Sequence, residues 1–179
     1  MKGIFTPGEL RGEVRVPASK SQAHRAMICA ALAGNSRITA LTHSDDMTAT
    51  LGALRALGAD FEADLGSGVM TTGKPLGRAE SACTPSSDFV IVDCGESAST
   101  LRFMIPLSSA LGKNALFVGR GRLPRRTTTL YEPLLTAHGV RMEYPKNGDF
   151  LPLAVSGKLT GGEFPLRGDV SSQFVTGML

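Results

Sequence analysis

Residues 14–34 read VRVPASKSQAHRAMICAALAG, and residues 89–112 read FVIVDCGESASTLRFMIPLSSALG. Each stretch passes from a short apolar segment through a serine-containing turn into a longer apolar segment that ends at a glycine. Serine near the start of a helix and glycine just past its end are the usual boundary signals of helices. The two stretches therefore predict the same strand and helix, written twice in one chain.

The similarity continues downstream of both stretches, in the order strand, helix and two closing strands. The first copy has RITAL (37–41), SDDMTATLGALRALG (44–58), ADFEA (59–63) and VMTTGK (69–74); the second has ALFVG (115–119), TTTLYEPLLTAHG (127–139), VRMEY (140–144) and LAVSGK (153–158). Four landmark pairs keep similar offsets, which are 77 for Arg25 to Arg102, 78 for Gly34 to Gly112, 81 for Gly58 to Gly139 and 84 for Lys74 to Lys158. The chain therefore contains an internal repeat.

The repeat divides the chain into an N-terminal segment (1–13), a first unit (14–80), a second unit (88–160) and the start of a third (161–179). The third copy reaches GDVSSQFVTGML and stops at Leu179 without a glycine cap, so we expect a truncated unit, with its helix loose or paired with another molecule, and frayed first residues. The turn-rich segment GRAESACTPSSD (77–88) predicts a connector. Alternating strands and helices predict an α/β fold, and the paired closing strands predict mixed sheets.

The composition excludes several classes of protein. A hydrophobic content of 42% over 179 residues supports a buried core, which excludes a disordered chain. With no long uncharged apolar run and no signal-peptide pattern, we expect a cytoplasmic protein with no membrane partner. The net charge of +3 is modest and the basic residues are scattered, so no nucleic-acid partner is expected. Cys29, Cys83 and Cys94 lack CxxC spacing, which predicts neither a disulfide framework nor a zinc site.

The start of the first predicted helix carries the first candidate binding residues. Lys20 and Ser21 lie in the first turn, and Arg25 lies one turn later in an otherwise apolar helix. An ammonium, a hydroxyl and unpaired backbone N–H groups at the positive end of a helix favour a phosphate or carboxylate ligand. Taken alone, the same residues are also explained by a serine cap and two solvated side chains.

The repeat places similar groups at two more helix starts. The second copy has Ser97 and Ser99 before Arg102, and the third has Ser171, Ser172 and Gln173. Three adjacent helix starts predict one concave surface that binds anions.

Other polar residues have two interpretations each. The loop GRGRLPRRTTT (119–129) contains Arg122 and resembles either an anion clamp or a solvated arginine run. Its Gly119-x-Gly121 pair lacks the third glycine of a dinucleotide-binding fingerprint, so NAD is not expected as a cofactor. Asp45 and Asp46 suit acid–base chemistry or the first turn of a helix equally well. The three histidines share no ligand spacing, so no metal is expected either.

The ordered segments PASKSQAHRAMICAALAG, THSDDMTATLGALRALGA, GESASTLR and GDVSSQF together resemble the 5-enolpyruvylshikimate-3-phosphate synthase family over essentially the whole chain. The resemblance implies the enolpyruvyl transferase fold, with repeated strand–helix–strand–helix–strand–strand units in two domains. It implies transfer of the enolpyruvyl group of phosphoenolpyruvate to the 5-hydroxyl of shikimate 3-phosphate, with release of phosphate, in the biosynthesis of aromatic amino acids. It implies no metal or organic cofactor. Members are more than twice this length, so the missing C-terminal half would be a partner.

The resemblance also implies roles for individual residues. Lys20, Ser21 and Arg25 would bind shikimate 3-phosphate, Lys20 would also touch phosphoenolpyruvate, and Arg122 would hold phosphoenolpyruvate. The residues Ser171, Ser172 and Gln173 would complete the phosphate pocket. The proton-transfer carboxylates would lie in the missing half, so no catalytic residue is assigned here and this fragment alone is expected to be inactive.

Three segments depart from the family pattern: PASKS where PGSKS is usual, GESASTLR where an Asn-Ala-Gly-Thr form is usual, and GRLPRRT where a loop with lysine is usual. Ala98 falls where glycine commonly lies beside phosphoenolpyruvate, and its methyl group would narrow that pocket and weaken binding of the family's inhibitor glyphosate.

Two functions of other classes remain open. A non-catalytic anion-binding or assembly module would use the helix starts for recognition only. The RNA 3'-terminal phosphate cyclases share a repeated α/β scaffold, but the chain shows neither a basic stripe nor a covalent histidine motif.

Overall fold

The structure is a computed structural model that describes residues 3–4, 6, 8–9, 11–14, 16–77, 88–145 and 148–179. The predicted connector therefore lies mostly outside the described residues, as does Cys83. Residues described before position 14 form no helix or strand and are exposed.

Serine side chains determine where four helices begin. Ser19, Ser44, Ser97 and Ser171 each accept a hydrogen bond from a backbone N–H in the first turn of the helix that follows, across 3.2–3.4 Å. The helices are α1 (Lys20–Ala33), α2 (Asp45–Ala56), α3 (Ala98–Leu111), α4 (Glu132–Ala137) and α5 (Ser172–Met178), with a 3-10 turn at Leu123–Arg125. Gly112 ends α3 in the left-handed conformation (φ 65°), which a glycine adopts without strain.

Each repeat unit contributes one sheet. The strands are β1 (Arg37–Ile38), β2 (Phe61–Asp64), β3 (Val69–Thr72), β4 (Val90–Asp93), β5 (Ala115–Val118), β6 (Val140–Glu143) and β7 (Leu153–Gly157). The first sheet has the order β1-β3-β2 and is antiparallel. The second has the order β4-β5-β7-β6, with β4 and β5 parallel and the other pairs antiparallel. The prediction of an α/β fold with mixed sheets is confirmed.

Two predicted elements differ in the structure. No strand forms over the described part of residues 14–17, where Val14 and Val16 are exposed, and the described first sheet has one strand fewer than the second. The helix predicted over 127–139 covers only Glu132–Ala137. Pro133 lies in its first turn, where a missing N–H costs nothing, and residues 129–131 before the helix form a turn instead.

The core is one cluster that joins both units and α5. Met27, Leu54 and Met70 of the first unit and Phe117 of the second are fully buried in it. Phe174 of α5 is also fully buried, and its ring meets that of Tyr131 edge-on at 4.9 Å. The expectation that the third helix is loose is therefore wrong, because its aromatic residue completes the core.

Candidate functional site

The starts of α1, α2, α3 and α5 are joined by side-chain contacts. Lys20 of α1 bonds to Asp46 of α2, and the Ser97 hydroxyl at the start of α3 lies close enough to Asp46 to lower its pKa. Ser99 of α3 accepts from the amide nitrogen of Gln173 on α5 across 2.7 Å. Because each start carries backbone N–H groups without helical partners, their grouping concentrates positive potential on one surface.

Asp46 is the acidic member of this grouping. Partial burial acts to raise the pKa of Asp46, but hydrogen bonds from Lys20 and Ser97 outweigh burial and hold that pKa below its ordinary value. Asp46 is therefore ionised at neutral pH, and its side chain is 26% exposed beside a Lys20 side chain that is 58% exposed. Of the two candidate carboxylates, Asp46 contacts a predicted binding residue, whereas Asp45 is exposed at the same helix start.

Arg25 connects α1 to α5. Its guanidinium donates to the backbone oxygen and the hydroxyl of Ser21, across 2.8 and 2.5 Å, and to the hydroxyl of Thr176 across 2.9 Å. The guanidinium also lies 5.4 Å from the centre of the Phe103 ring. Arginine carries five N–H donors, so other donors of Arg25 can still reach a ligand oxygen.

Arg102 is a site residue whose position in the repeat was evident from the sequence, but not its role. Its guanidinium donates to the side-chain oxygen of Gln173 across 2.8 Å and to Ser171 across 3.5 Å, and lies 4.6 Å from the Phe174 ring centre. Burial lowers the pKa of Arg102, and the nearby cation Arg126 adds to this effect, but an arginine remains charged. The signal was present in the repeat, since Arg102 lies 77 positions after Arg25 and both reach α5.

Three other predicted residues lie apart from these hydrogen bonds. Ser172 begins α5 and is exposed. Ala98 is the first residue of α3, half-buried against the core. Arg122 is exposed at the start of the 3-10 turn, and within the described part of the chain its side chain makes no hydrogen bond or ion pair.

A groove of about 710 Å³ lies beside the helix starts and is mainly acidic. Its charged lining consists of Asp45, Asp46, Asp93, Glu96 and Arg120. Four carboxylates against one guanidinium disfavour an anion inside the groove. An anionic ligand would therefore lie on the side of the helix starts that carries Lys20 and Arg25.

Among the described residues, no group of three or more histidine, cysteine or acidic side chains has the geometry to hold a metal ion. Cys94 is buried, and burial raises the pKa of its thiol, so it is no nucleophile at neutral pH. Within the ranges described, every helix is too short or too polar to cross a membrane.

Comparisons with known proteins agree on one family. The family model of EPSP synthase (3-phosphoshikimate 1-carboxyvinyltransferase) matches residues 4–179. The 3-phosphoshikimate 1-carboxyvinyltransferase of Clostridium botulinum (strain Alaska E43 / Type E3) is 40% identical over 179 residues, covering 97% of this chain and 39% of that protein. The protein of the same name from Clostridioides difficile (strain 630) is 40% identical over 178 residues, covering 97% and 40%.

The fold is also shared with a solved structure. The structure of EPSP synthase from Acinetobacter baumannii superposes with a TM-score of 0.77 at 22% identity, covering 94% of this chain and 37% of that one. The chain thus spans about 40% of the length of the curated relatives it matches.

Proposed function

The chain belongs to the EPSP synthase family, and from this membership we propose that it is the N-terminal part of an enolpyruvyl transferase. The reaction proposed for the whole protein moves the enolpyruvyl group of phosphoenolpyruvate to the 5-hydroxyl of shikimate 3-phosphate and releases phosphate. The observation that carries the proposal is the grouping of the α1, α3 and α5 starts around Lys20, Arg25 and Arg102.

The proposed role of these helix starts is to bind shikimate 3-phosphate. Lys20 and Ser21 offer an ammonium and a hydroxyl beside the first backbone N–H groups of α1, and Arg25 reaches both α1 and α5. The third unit would supply Ser171, Ser172 and Gln173. Charge-assisted bonds to a phosphate are short and directional, so they would fix the orientation of the substrate as well as its position.

Phosphoenolpyruvate is the proposed second ligand, held by Lys20 and Arg122 with Ala98 beside it. In the proposed reaction the 5-hydroxyl loses its proton as its oxygen bonds to C2 of phosphoenolpyruvate, while C3 accepts a proton. The C2–O bond to phosphate then breaks, and loss of a proton from C3 restores the double bond. Fixed cations would screen the two anionic substrates from each other and hold them in reach.

The C-terminal part of the relatives, beyond the region that this chain matches, is proposed as a necessary partner. The chain covers 39–40% of its relatives, and no catalytic acid or base is assigned within it. We therefore expect this chain to bind shikimate 3-phosphate weakly and to catalyse nothing alone.

A non-catalytic anion-binding module would use the same helix starts. The two functions differ in what happens when the rest of the protein is supplied, because only the transferase would then release phosphate from phosphoenolpyruvate.

Titration calorimetry of shikimate 3-phosphate into the 179-residue chain tests the binding proposal. One charge-assisted hydrogen bond contributes about 1.5–3 kcal/mol, so Lys20→Ala should weaken binding at least about tenfold. Lys74→Ala is the matched control, because Lys74 is an exposed lysine of the first unit and should leave binding unchanged. Equal affinities of the Lys20→Ala variant and the unmodified chain would overturn the assignment.

A further inference from the structure

A buried chain of hydrogen bonds runs from α1 to Asp46 through α2 and α3. His24 Nδ1 lies 2.7 Å from the Thr50 hydroxyl, which lies 2.8 Å from the Thr100 hydroxyl. The Thr100 hydroxyl donates to Ser97 across 2.9 Å. The Ser97 hydroxyl lies beside Asp46 and lowers the pKa of that carboxyl. The four members before Asp46 are each at most 2% exposed, so water does not compete for these bonds.

The Thr100–Ser97 pair sets the direction of every bond. Ser97 accepts from both the N–H and the hydroxyl of Thr100, which leaves the hydrogen of Ser97 for the Asp46 carboxylate beside it. The Thr100 hydroxyl has thereby used its one hydrogen, and it must accept from Thr50. Thr50 must accept in turn from Nδ1 of His24. The order assigns the proton of the imidazole to Nδ1.

The other nitrogen of His24 fits this assignment. Nε2 is buried and has no hydrogen-bond partner among the described residues, and the ring lies edge-on to Phe103 at 6.1 Å. Burial lowers the pKa of His24 to about 4; Asp46 opposes this shift, whereas Lys20 and Arg25 add to it. His24 is therefore neutral at pH 7, with a bare Nε2.

We propose that the four buried members of this chain are positioning residues: they hold the Asp46 carboxylate in one orientation, and Asp46 holds the Lys20 ammonium at the start of α1. A free lysine side chain loses much rotamer entropy when it binds a ligand, and fixing it beforehand reduces that cost. The ammonium has three donors, so two remain for an anion. The identity of that anion rests on the proposed function, but the direction of the chain does not.

The tautomer of His24 gives a direct test in the 179-residue chain. Long-range proton–nitrogen NMR correlations at pH 7 should show a protonated Nδ1 and a bare Nε2, assigned by their loss in His24→Gln. Thr100→Val interrupts the chain at constant shape and should produce a mixture of both tautomers, whereas Thr100→Ser should restore the single one. Thr48→Val is the matched control, because Thr48 is an exposed residue of α2 whose hydroxyl, within the described ranges, bonds only to the backbone oxygen of Ser44.

A second variant tests the same inference if Thr100→Val folds poorly. Asp46→Ala removes the charged end at a partly exposed position and should also give mixed tautomers. An unchanged His24 tautomer in both Thr100→Val and Asp46→Ala, or the same change in Thr48→Val, would overturn the inference.

The functional consequence is measured with shikimate 3-phosphate as the probe. The loss of one ordinary hydrogen bond should weaken the affinity of the Thr100→Val variant for this probe about three- to tenfold. The affinity of the Thr48→Val variant should not change. Failure of the unmodified chain to bind the probe would count against the proposed function, while the tautomer comparison would still decide this inference. Full affinity in a Thr100→Val variant with mixed tautomers would refute the positioning role.

Discussion

Replacing Phe174 by alanine should undock α5 from the hydrophobic core. The ring is fully buried, meets Tyr131 edge-on at 4.9 Å and lies 4.6 Å from the Arg102 guanidinium. Truncating a buried phenylalanine costs about 3–5 kcal/mol, and the aromatic pair accounts for about 0.5–1.5 kcal/mol of such an interaction. A helix of seven residues has almost no stability of its own, so the loss should appear first as undocking of α5.

Two measurements test the loss of stability and the undocking of α5. Urea unfolding should show a loss of at least about 2 kcal/mol in the free energy of unfolding. Hydrogen exchange should show faster exchange of the α5 amides than of the α3 amides. Val175→Ala is the control on the same helix, because Val175 is 37% exposed and its truncation should cost less than about 1 kcal/mol. A loss below about 1 kcal/mol for Phe174→Ala, with α5 still protected, would refute the packing account.

Three further predictions concern pH and one departure from the family pattern. The pKa of Asp46 is lower in the folded chain, so its ion pair stabilises the fold at neutral pH and is lost as the pH falls below the ordinary aspartate value of 3.8. In urea unfolding, the free energy of unfolding of Asp46→Asn should therefore decrease less steeply at acid pH than that of the unmodified chain. The pKa of His24 falls from 6.5 to about 4 on folding, so between these pH values the unfolded chain binds a proton that the folded chain does not. The free energy of unfolding should therefore decrease by up to about 3 kcal/mol from pH 6.5 to pH 4, and His24→Gln should remove this pH dependence. Ala98→Gly should widen the proposed phosphoenolpyruvate pocket and strengthen inhibition by glyphosate, and equal inhibition of the unmodified full-length protein and its Ala98→Gly variant would contradict this.

The sequence predicted most of the architecture because its signals are local. Serine caps and terminal glycines mark α1 and α3, and the repeat transfers each assignment from one copy to the other. The strand predicted at 14–17 could not be judged in this way, since a strand needs a neighbour and an isolated apolar pattern does not show whether one is present. The short α4 was predictable in principle from Pro133, which suits only the first turn of a helix.

The candidate site was only partly predictable, because its contacts join distant positions. The sequence placed Lys20 and Arg25 at a helix start, and the structure has them there. It did not show that Asp46, 26 positions later, contacts Lys20, nor that Arg102 meets Gln173. These contacts follow from the packing of α1, α2, α3 and α5, which no local pattern encodes. The ligand roles themselves remain predictions.

The most direct test of the central claim is phosphate release from phosphoenolpyruvate and shikimate 3-phosphate by two polypeptides mixed together. One is this chain, and the other is the C-terminal remainder of the Clostridium botulinum relative, whose own N-terminal part serves as the positive control. We predict release by the mixture, none by either polypeptide alone, and a strong loss with Lys20→Ala. A mixture no faster than its separate parts, while the positive control is active, would contradict the account.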